Sequence, residues 1–409
     1  MKSSKNETSG KTEISLAPAD NYCYTLFIMA RIMIIAGETS GDLHGGQLVK
    51  ELKALDGGLE IFGIGGDRMR AGGMELFYHV SELSFMGLAE VIWHLPFIRS
   101  VMKKLEFELQ ARKPDAVVLI DYPGFNLRFA RKVKKAGIPV VYFISPKVWA
   151  WGRGRVRKIR KFVDKMLCIL PFEEEFFRGR RVNALYVGNP LMDAVKPGQS
   201  RGQFYKNNGL DPKLPLLGLL PGSREQEIEL ILPVMLQTAM MLREKDPNLQ
   251  FALALAPHLD KERIENLIAV SGLEISLIES PAYDLMVYSR LLLVASGTAT
   301  LEAGISGTPM IIIYKTSPLT YFIGRRLIKV PDIGLVNLVA GKRVVPEFLQ
   351  GEARPGAVFL MAQVLLAEGR PRQVVMDELA KIKNILGEPG AAKRAAGEIY
   401  ETLSSKQDK

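Results

Sequence analysis

The architecture of this chain follows from Leu291-Leu-Leu-Val-Ala-Ser-Gly-Thr-Ala-Thr-Leu-Glu302. Five apolar residues open this segment and predict a strand buried on both faces, because no polar residue alternates with them. Ser296-Gly-Thr298 then forms a turn, and a helix runs from Ala299 to Ile305 until Gly307 and Pro309 end it. A strand, turn and helix in this order direct unpaired N–H groups and the positive end of a helix dipole at one point. The unit is therefore either a phosphate site or an ordinary βαβ connection.

A second unit of the same kind favours the phosphate site. Leu216 to Leu220 predicts a strand, and Pro221-Gly-Ser-Arg224 predicts the turn that follows it. The arginine of this turn can form bidentate hydrogen bonds to a phosphate. Each charged hydrogen bond contributes about 1.5–3 kcal/mol and a helix terminus roughly 0.3–1 kcal/mol. Two turns together therefore offset the cost of ordering a nucleotide sugar. The predicted site comprises Gly222, Ser223, Arg224, Ser296, Gly297, Thr298 and Glu302, whose carboxylate can accept from ribose hydroxyls.

The chain has 409 residues, which suits two domains better than a single core. Hydrophobic residues make up 47% and charged residues 24%, as in a globular protein. Strand-and-turn patterns recur on both sides of a polar, Pro- and Gly-rich linker, Lys196-Pro-Gly-Gln-Ser-Arg-Gly202. We predict a loose extension over 1–28 with Met29 as a candidate start, α/β domains over 29–195 and 196–390, and a C-terminal helix within 391–409.

Composition and charge indicate the cellular compartment of the protein and its possible binding partners. Cys23 and Cys168 are too few for a disulfide framework or a cysteine metal site, and no apolar run is long enough to span a bilayer. We therefore expect a cytosolic protein. The formal net charge is +10, yet residues 99–181 alone carry 21 Lys and Arg against 8 Asp and Glu. The densest part, 153–161, either meets nucleic acid, anionic lipid or a phosphorylated substrate, or is a solvated helix face.

The first half contains the candidate catalytic carboxylates. Ala116 to Ile120 predicts a buried strand that delivers Asp121 to the carboxyl end of the sheet, where ligands of open α/β sheets bind. Asp121 is there either a general base or a cap on the following turn. Ile32 to Ala36 leads into a similar turn with three rival groups, Glu38, Asp42 and His44. Neither that turn nor Ile61 to Gly66 has the spacing G-x-G-x-x-G, so a nicotinamide enzyme is not supported.

Two apolar features lie near the basic run. Residues 84–98 are apolar almost all round the predicted helix, which indicates either a buried helix or a surface that dips into a membrane or grips acyl chains. Pro146-Lys-Val-Trp-Ala-Trp151 places two tryptophans where they can stack on a ring or anchor at an interface. The predicted acceptor and membrane face comprises Met86, Val91, Trp93, Leu95, Phe97, Trp149, Trp151 and Arg153.

From Ile32 into its last hundred residues, the chain resembles the lipid A disaccharide synthases, which are inverting glycosyltransferases of the GT-B architecture. Single motifs are weak signals, but ten of them occur here in order and at the expected spacing. They are Ala36-Gly-Glu-Thr-Ser-Gly-Asp42, Gly63-Ile-Gly-Gly66, Met86-Gly-Leu88 with Glu90-Val91, Asp121-Tyr-Pro-Gly-Phe-Asn126, Ser145-Pro-Lys-Val-Trp-Ala-Trp151, Leu170-Pro-Phe-Glu173, Pro221-Gly-Ser-Arg224, Ser296-Gly-Thr298 with Glu302, Leu335-Val-Asn337 and Pro346-Glu-Phe-Leu-Gln350. Some members carry a second aspartate where this chain has Gly124, so a catalytic role transfers to Asp121 alone within its motif.

The resemblance implies two Rossmann-like domains facing across a cleft, with the C-terminal helix returning to the N-terminal domain. It implies transfer of 2,3-diacylglucosamine from UDP-2,3-diacylglucosamine to the 6-hydroxyl of 2,3-diacylglucosamine 1-phosphate, which gives a β-1,6 disaccharide and UDP. Asp121 would be the base, Arg224 and the turn at 296–298 would stabilise the departing UDP, and Glu302 would hold the ribose. Asn337 and Glu347 would line the cleft. The chain contains no Asp-x-Asp, so no metal or other cofactor is expected.

The acyl chains also imply a partner. Each CH₂ taken out of water contributes about 0.8 kcal/mol, so such substrates stay at a bilayer. We expect residues 85–98 and 153–161 to dock on an anionic surface, the inner membrane of a Gram-negative-type bacterium, and we leave an oligomer open. One alternative is another GT-B enzyme, a UDP-N-acetylglucosamine transferase or 2-epimerase acting on a soluble sugar, which would not need the apolar segment. The other is a non-catalytic protein that binds membrane or nucleic acid, against which stand the phosphate turns and the lack of a nucleic-acid module.

Overall fold

The computed structural model describes residues 30–83, 94–150, 152–257, 259–279, 281–327 and 330–407. These residues form two parallel β-sheets, one in each half of the chain, with helices on both faces of each sheet. The α/β architecture predicted from the apolar runs is therefore confirmed. In the part of the chain that the structure describes, no helix is both long and apolar enough to cross a membrane.

The first sheet has seven strands in the order β3-β2-β1-β4-β5-β6-β7. Its order reverses between β1 and β4, and such a switch point is where open α/β sheets bind ligands. β1 and β4 pair in register, ending with Ala36 beside Ile120, so the turns that follow these strands lie next to each other. The strands are β1 Arg31–Ala36, β2 Glu60–Gly65, β3 Glu75–His79, β4 Ala116–Ile120, β5 Val140–Phe143, β6 Lys165–Cys168 and β7 Ala184–Tyr186.

Both faces of the first sheet are covered. In β1, Met33 and Ile35 pack in a cluster with the helices at 95–112, 123–135 and 156–162, whereas Ile32 and Ile34 pack in a cluster with the helix at 39–55. This alternation follows from the two-residue period of a strand. The helices are α1 Thr39–Leu55, α2 Asp67–Ala71, α3 Leu95–Arg112, α4 Pro123–Lys135, α5 Val156–Phe162, α6 Pro171–Arg178 and α7 Leu191–Ala194, with 3₁₀ turns at Val80–Glu82 and Arg153–Arg155.

The second sheet has six strands in the order β10-β9-β8-β11-β12-β13. Its strands are β8 Leu216–Leu220, β9 Gln250–Leu255, β10 Ile275–Glu279, β11 Leu291–Ala295, β12 Met310–Tyr314 and β13 Glu347–Leu349. Its helices are α8 Arg201–Asn207, α9 Glu225–Lys245, α10 Lys261–Ser271, α11 Tyr283–Tyr288, α12 Thr298–Ser306, α13 Pro318–Leu327, α14 Leu335–Ala340, α15 Pro355–Leu366 and α16 Arg370–Leu386, with a 3₁₀ turn at Gln350–Glu352.

The last helix, α17 (Ala391–Gln407), returns to the first half. Ala395, Ala396 and Ile399 belong to the same buried cluster as Leu48 of α1. Arg394 stabilises the return of α17 to the first half, since its Nε donates to the carbonyl oxygen of Val187 at 2.8 Å. The C-terminal helix therefore packs against the first sheet, as the resemblance implies.

One buried cluster joins the two halves. It combines Trp149, Leu170 and Leu191 of the first half with residues of α12 and α16, such as Leu301 and Leu386. The contact holds the carboxyl ends of both sheets toward a shared cleft.

Candidate active site

A cavity of about 480 Å³ lies where β8, β9 and β11 end. It is lined by every residue of the predicted nucleotide-sugar site except the two at 337 and 347, namely Gly222, Ser223, Arg224, Ser296, Gly297, Thr298 and Glu302. The loop after β5 adds Lys147, which comes from the first half of the chain. The structure thus brings the two predicted phosphate turns together, and their role in binding UDP stays a prediction.

The turn that carries Arg224 is organised by a glutamate that sequence reasoning missed. Gly222 has φ 112°, and a Cβ there would stand 2.2 Å from Oε2 of Glu227. That carboxylate accepts the backbone N–H groups of Ser223 at 3.0 Å and Arg224 at 3.3 Å. The guanidinium also contacts Glu227 at 3.3 Å, but the Arg224 side chain remains 69% exposed. It can therefore turn toward an anion in the cavity at little cost.

The turn at Ser296 is held by hydrogen bonds on the side away from the cavity. Ser296 Oγ donates to the carbonyl oxygen of Ile333 at 3.1 Å, and Thr300 Oγ1 donates to that of Gly297 at 2.8 Å. The same Thr300 oxygen accepts the N–H of Leu335 at 3.0 Å. A Cβ on Gly297 would meet nothing within 4 Å, so the front of the turn is open. The start of α12 therefore presents its N–H groups to the cavity.

Asn337 and Glu347 are not among the described residues that line this cavity, and their contact with the nucleotide sugar stays a prediction. Both are buried, and Glu347 accepts the N–H groups of Ile333 and Gly334, each at 3.0 Å, and Nδ2 of Asn337 at 2.8 Å. Asn337 in turn accepts the N–H of Val344 at 2.8 Å. These side chains hold the loop whose carbonyl group at Ile333 anchors Ser296. They support the turn from the interior.

Glu302 faces the cavity together with a tyrosine that sequence reasoning missed. The hydroxyl of Tyr283 donates to Oε1 of Glu302 at 3.5 Å. Burial raises the pKa of Glu302 above its usual range. Burial and the neighbouring Glu302 raise the pKa of Tyr283 to about 12, and the charge of Arg68 in the first half opposes this rise. A carboxylate in this position is suited to accept hydrogen bonds from a sugar, and the charge of Arg68 from the other half acts on the tyrosine beside it.

Asp121 stands at the carboxyl end of β4 with an unusual backbone. Its φ is 44° and that of Tyr122 is 47°, two successive left-handed residues before Pro123 begins α4. Such conformations cost about 1–3 kcal/mol each and persist where the surroundings determine them. Here the carbonyl oxygen of Asp121 accepts from Nδ2 of Asn126 at 2.8 Å and from the Tyr142 hydroxyl. These hydrogen bonds fix the backbone, and the carboxylate lies at the carboxyl end of the central strand β4.

The surroundings of Asp121 favour a general base. Burial and, next, the like charge of Glu38 raise its pKa to about 6, against the lowering effects of Lys147 and the N–H of Tyr122. A base with a pKa near the working pH takes up a proton effectively and is still largely ionised.

The three rival groups are less suited to this task. Asp42 is buried, and its carboxylate accepts the N–H groups of Gly66 at 2.7 Å, Met69 at 3.1 Å and Arg68 at 3.2 Å, so it caps α2. Burial lowers the pKa of His44 to about 4. Glu38 is exposed at the start of α1 and acts on Asp121 through its charge. The geometry therefore favours Asp121.

The predicted acceptor and membrane face is only partly described. Met86, Val91, Trp93 and Trp151 lie outside the described residues, as does the side chain of Arg153. Leu95 and Phe97 are half-buried at the start of α3, where the Phe97 ring meets Tyr78 edge-on at 5.9 Å. Trp149 is not on a surface, which corrects the prediction. It is 6% exposed, and its Nε1 donates to Oε1 of the buried Glu173 at 2.9 Å.

Two parallel sheets that face a shared cleft, with a nucleotide-type pocket in the second half, define the GT-B glycosyltransferase class. The calicheamicin glycosyltransferase has this fold, with a TM-score of 0.61 at 17% identity over 92% of this chain and 99% of its own. UDP-N-acetylglucosamine 2-epimerase from Neisseria meningitidis, solved bound to UDP-N-acetylglucosamine, has it with a TM-score of 0.64 at 15% identity over 92% and 100%.

Sequence comparison identifies the family. Residues 32–396 match the family model described as Lipid-A-disaccharide synthetase. The lipid-A-disaccharide synthase of Myxococcus xanthus is 44% identical over 373 residues, which cover 91% of this chain and 97% of that protein. The same enzyme of Geobacter metallireducens is 44% identical over 377 residues, 92% and 98% of the two chains. The chain belongs to the lipid-A-disaccharide synthetase family, and the resemblance seen in its motifs is confirmed.

Proposed function

We propose that this enzyme joins two acylated glucosamines in the synthesis of the lipid A disaccharide. Its donor is UDP-2,3-diacylglucosamine and its acceptor is 2,3-diacylglucosamine 1-phosphate. Family membership supports the reaction. The structural observation behind the chemistry is a pocket built from two phosphate-type turns with Lys147 in its lining, together with a buried carboxylate of raised pKa, Asp121, on which the charge of Lys147 acts.

The proposed transfer is a single displacement with inversion. The 6-hydroxyl oxygen of the acceptor forms a bond to C1 of the donor sugar, and its proton goes to the Asp121 carboxylate. The bond between C1 and the β-phosphate oxygen breaks, and its electron pair leaves on UDP. Arg224 and the N–H groups at the start of α12 stabilise that charge, a contribution that is strongest in a site shielded from water. Glu302 accepts from hydroxyls of the bound nucleotide sugar.

We further propose that no metal ion takes part. The support is that cationic and N–H groups of the chain already surround the place of the diphosphate, from Arg224 and α12 on one side and Lys147 on the other. Turnover after exhaustive chelation, followed by Mg²⁺ addition, tests this proposal. Activity that disappears with EDTA and returns with Mg²⁺ would contradict it.

The decisive experiment measures UDP release from the two diacyl sugars. UDP-N-acetylglucosamine replaces the donor in a parallel reaction, because a transferase or 2-epimerase for soluble sugars would prefer it. We expect turnover with the diacyl pair and at least about 100-fold less with the substitute, given that many CH₂ groups contribute to binding. Asp121→Asn should retain UDP binding and lose about 10²–10⁴-fold in turnover. Equal use of both donors would refute the substrate, and a fully active Asp121→Asn would refute the base.

We propose that the enzyme works on the cytoplasmic side of an anionic membrane, with α3, α4 and α5 facing it. Among the described residues, eight cations and one carboxylate, Glu106, line a groove of about 1110 Å³ between these helices. The cations are Arg128, Arg131, Lys132, Lys134, Lys135, Arg157, Lys158 and Lys161. Lys132 pairs with Glu106 at 2.7 Å and Lys134 with Asp164 at 2.6 Å; within the described ranges the other six make no ion pair. Each cation near an anionic surface contributes about 1 kcal/mol.

Vesicle flotation tests this docking surface. The variant Arg157→Glu with Lys161→Glu should lose binding to vesicles that contain phosphatidylglycerol, and high salt should release the wild type because surface charge is screened. The matched control is Leu360→Glu, which changes an exposed apolar residue of the second half and should bind like the wild type. Unchanged flotation of the double variant would contradict the docking proposal and leave the transfer reaction unaffected.

A further inference from the structure

Lys147 is placed differently from its neighbours in sequence. Of residues 140–149, all of which are described, it is the single exposed residue, and Pro146 and Val148 on either side are buried. Because the residues on either side of Lys147 are packed in the interior, its side chain is directed away from the core. The cavity at the ends of β8, β9 and β11 lies in the direction of this side chain, because among the described residues that line the cavity Lys147 is the one from the first half.

The loop that carries Lys147 is rigidly held. Ile144 begins it with φ 64°, a left-handed conformation that a β-branched residue adopts only under constraint. At its other end, the Trp149 indole donates to Glu173, which is 1% exposed and also accepts the N–H of Leu170 at 3.1 Å. A buried carboxylate with such partners is costly to disturb. The ammonium group is therefore presented from a fixed platform.

Two features of the cleft meet at Lys147. On one side is Asp121, whose pKa this lysine lowers while burial and Glu38 raise it. On the other side is the pocket formed by the turns at Arg224 and Ser296. Besides Glu38 and Lys147, the titratable groups that lie near Asp121 are its neighbour Tyr122 and Tyr142 of β5. The charge of Arg155 also acts on the Tyr142 hydroxyl.

We infer that Lys147 is a catalytic residue of the proposed transfer, one that stabilises the Asp121 carboxylate before reaction and the leaving UDP oxygen during it. This inference rests on the proposed function. As the acceptor proton neutralises Asp121, negative charge builds on the β-phosphate oxygen when its bond to C1 breaks. A cation whose charge acts on both places keeps a negative partner throughout, so its stabilisation moves with the charge and is not lost when the base is protonated.

Three variants test the role. Lys147→Met removes the charge at similar volume, Lys147→Arg retains it, and Lys383→Met removes an exposed lysine of α16 outside the cleft. We expect Lys147→Met to lower kcat about 10- to 100-fold, as for one charged hydrogen bond. The acid limb of its kcat/KM profile should move to higher pH, because Asp121 loses a stabilising cation. Lys147→Arg should keep the acid limb in place, and Lys383→Met should behave as the wild type.

The outcomes separate this inference from the proposed function. A wild-type protein that releases no UDP from the diacyl sugars refutes the function, and the inference is then judged on UDP affinity by calorimetry, which Lys147→Met should weaken at least about fivefold. If the wild type is active and Lys147→Met changes neither kcat by more than threefold nor the acid limb, the inference is overturned. Near-ultraviolet circular dichroism and the behaviour of Lys147→Arg exclude a folding defect as the cause of lost activity.

Discussion

Replacing Asp121 by asparagine should stabilise the protein while it removes turnover. Burial raises the pKa of this carboxyl from its ordinary value of 3.8 to about 6. The folded state therefore holds the proton more tightly than the unfolded chain. At 1.36 kcal/mol for each unit of pKa, this difference corresponds to ~3 kcal/mol, and partial solvent access reduces it to about 2–3 kcal/mol. The wild type loses this amount as the pH rises from 4 to above 6, whereas asparagine does not titrate.

Urea unfolding of wild type and Asp121→Asn between pH 4 and 8 measures this difference. The two free energies of unfolding should agree within about 1 kcal/mol at pH 4 and diverge by about 2–3 kcal/mol at pH 7.5, with asparagine the more stable. The thermal midpoint at pH 7.5 should rise by roughly 2–4 °C. Asp115→Asn is the control, since Asp115 lies at the opposite end of β4. A variant that is equally stable or less stable at pH 7.5 would refute the view that Asp121 is a strained, partly desolvated base.

Three further substitutions probe the groups around this base. Glu38→Gln should move the acid limb of kcat/KM to lower pH, because Glu38 raises the pKa of Asp121; a loss of turnover by 10³-fold with an unmoved limb would make Glu38 the base instead. Gly37→Ala should lower the free energy of unfolding by about 1–3 kcal/mol, since the new Cβ would stand 2.2 Å from the Tyr122 ring. In a Tyr122→Ala background most of this loss should disappear, which urea unfolding of the double variant against Tyr122→Ala measures. Trp149→Phe should cost about 1–3 kcal/mol of stability and leave vesicle flotation unchanged, whereas reduced flotation would return Trp149 to the membrane face.

The fold was predictable wherever a strand is buried on both faces. The runs at 32–36, 116–120, 216–220 and 291–295 lie in the middle of the two sheets and are uniformly apolar. The strands at 75–79 and 347–349 escaped prediction for a physical reason. They are edge strands, short and mixed in polarity, and such strands are stabilised by one neighbour and carry little pattern of their own.

The candidate site was predictable at the level of its turns. Glycine, hydroxyl groups and arginine at a strand end mark a place where the backbone can approach phosphate. Glu227 could have been recognised too, because a glutamate at the third helical position commonly accepts the N–H groups of the preceding turn. Lys147 and Tyr283 could not. A lysine in an apolar run is expected to be exposed, but nothing in the local sequence says which cavity it lines, or which helix of one half approaches the strand ends of the other.

Three carboxylates beside the cleft have a structural role in common. Asp42, Glu173 and Glu347 are buried carboxylates, and each accepts backbone N–H groups at the start of a helix next to the cleft. A carboxylate used in this way has an acceptor role that is indistinguishable in sequence from a catalytic one, since both follow a strand or precede a helix. Asp121 differs from them in its electrostatic setting, because the like charge of Glu38 adds to burial in raising its pKa and only Lys147 and one backbone N–H, that of Tyr122, oppose this rise. Catalysis needs a carboxylate whose charge is incompletely satisfied, and the fully bonded carboxylates around it keep that one in place.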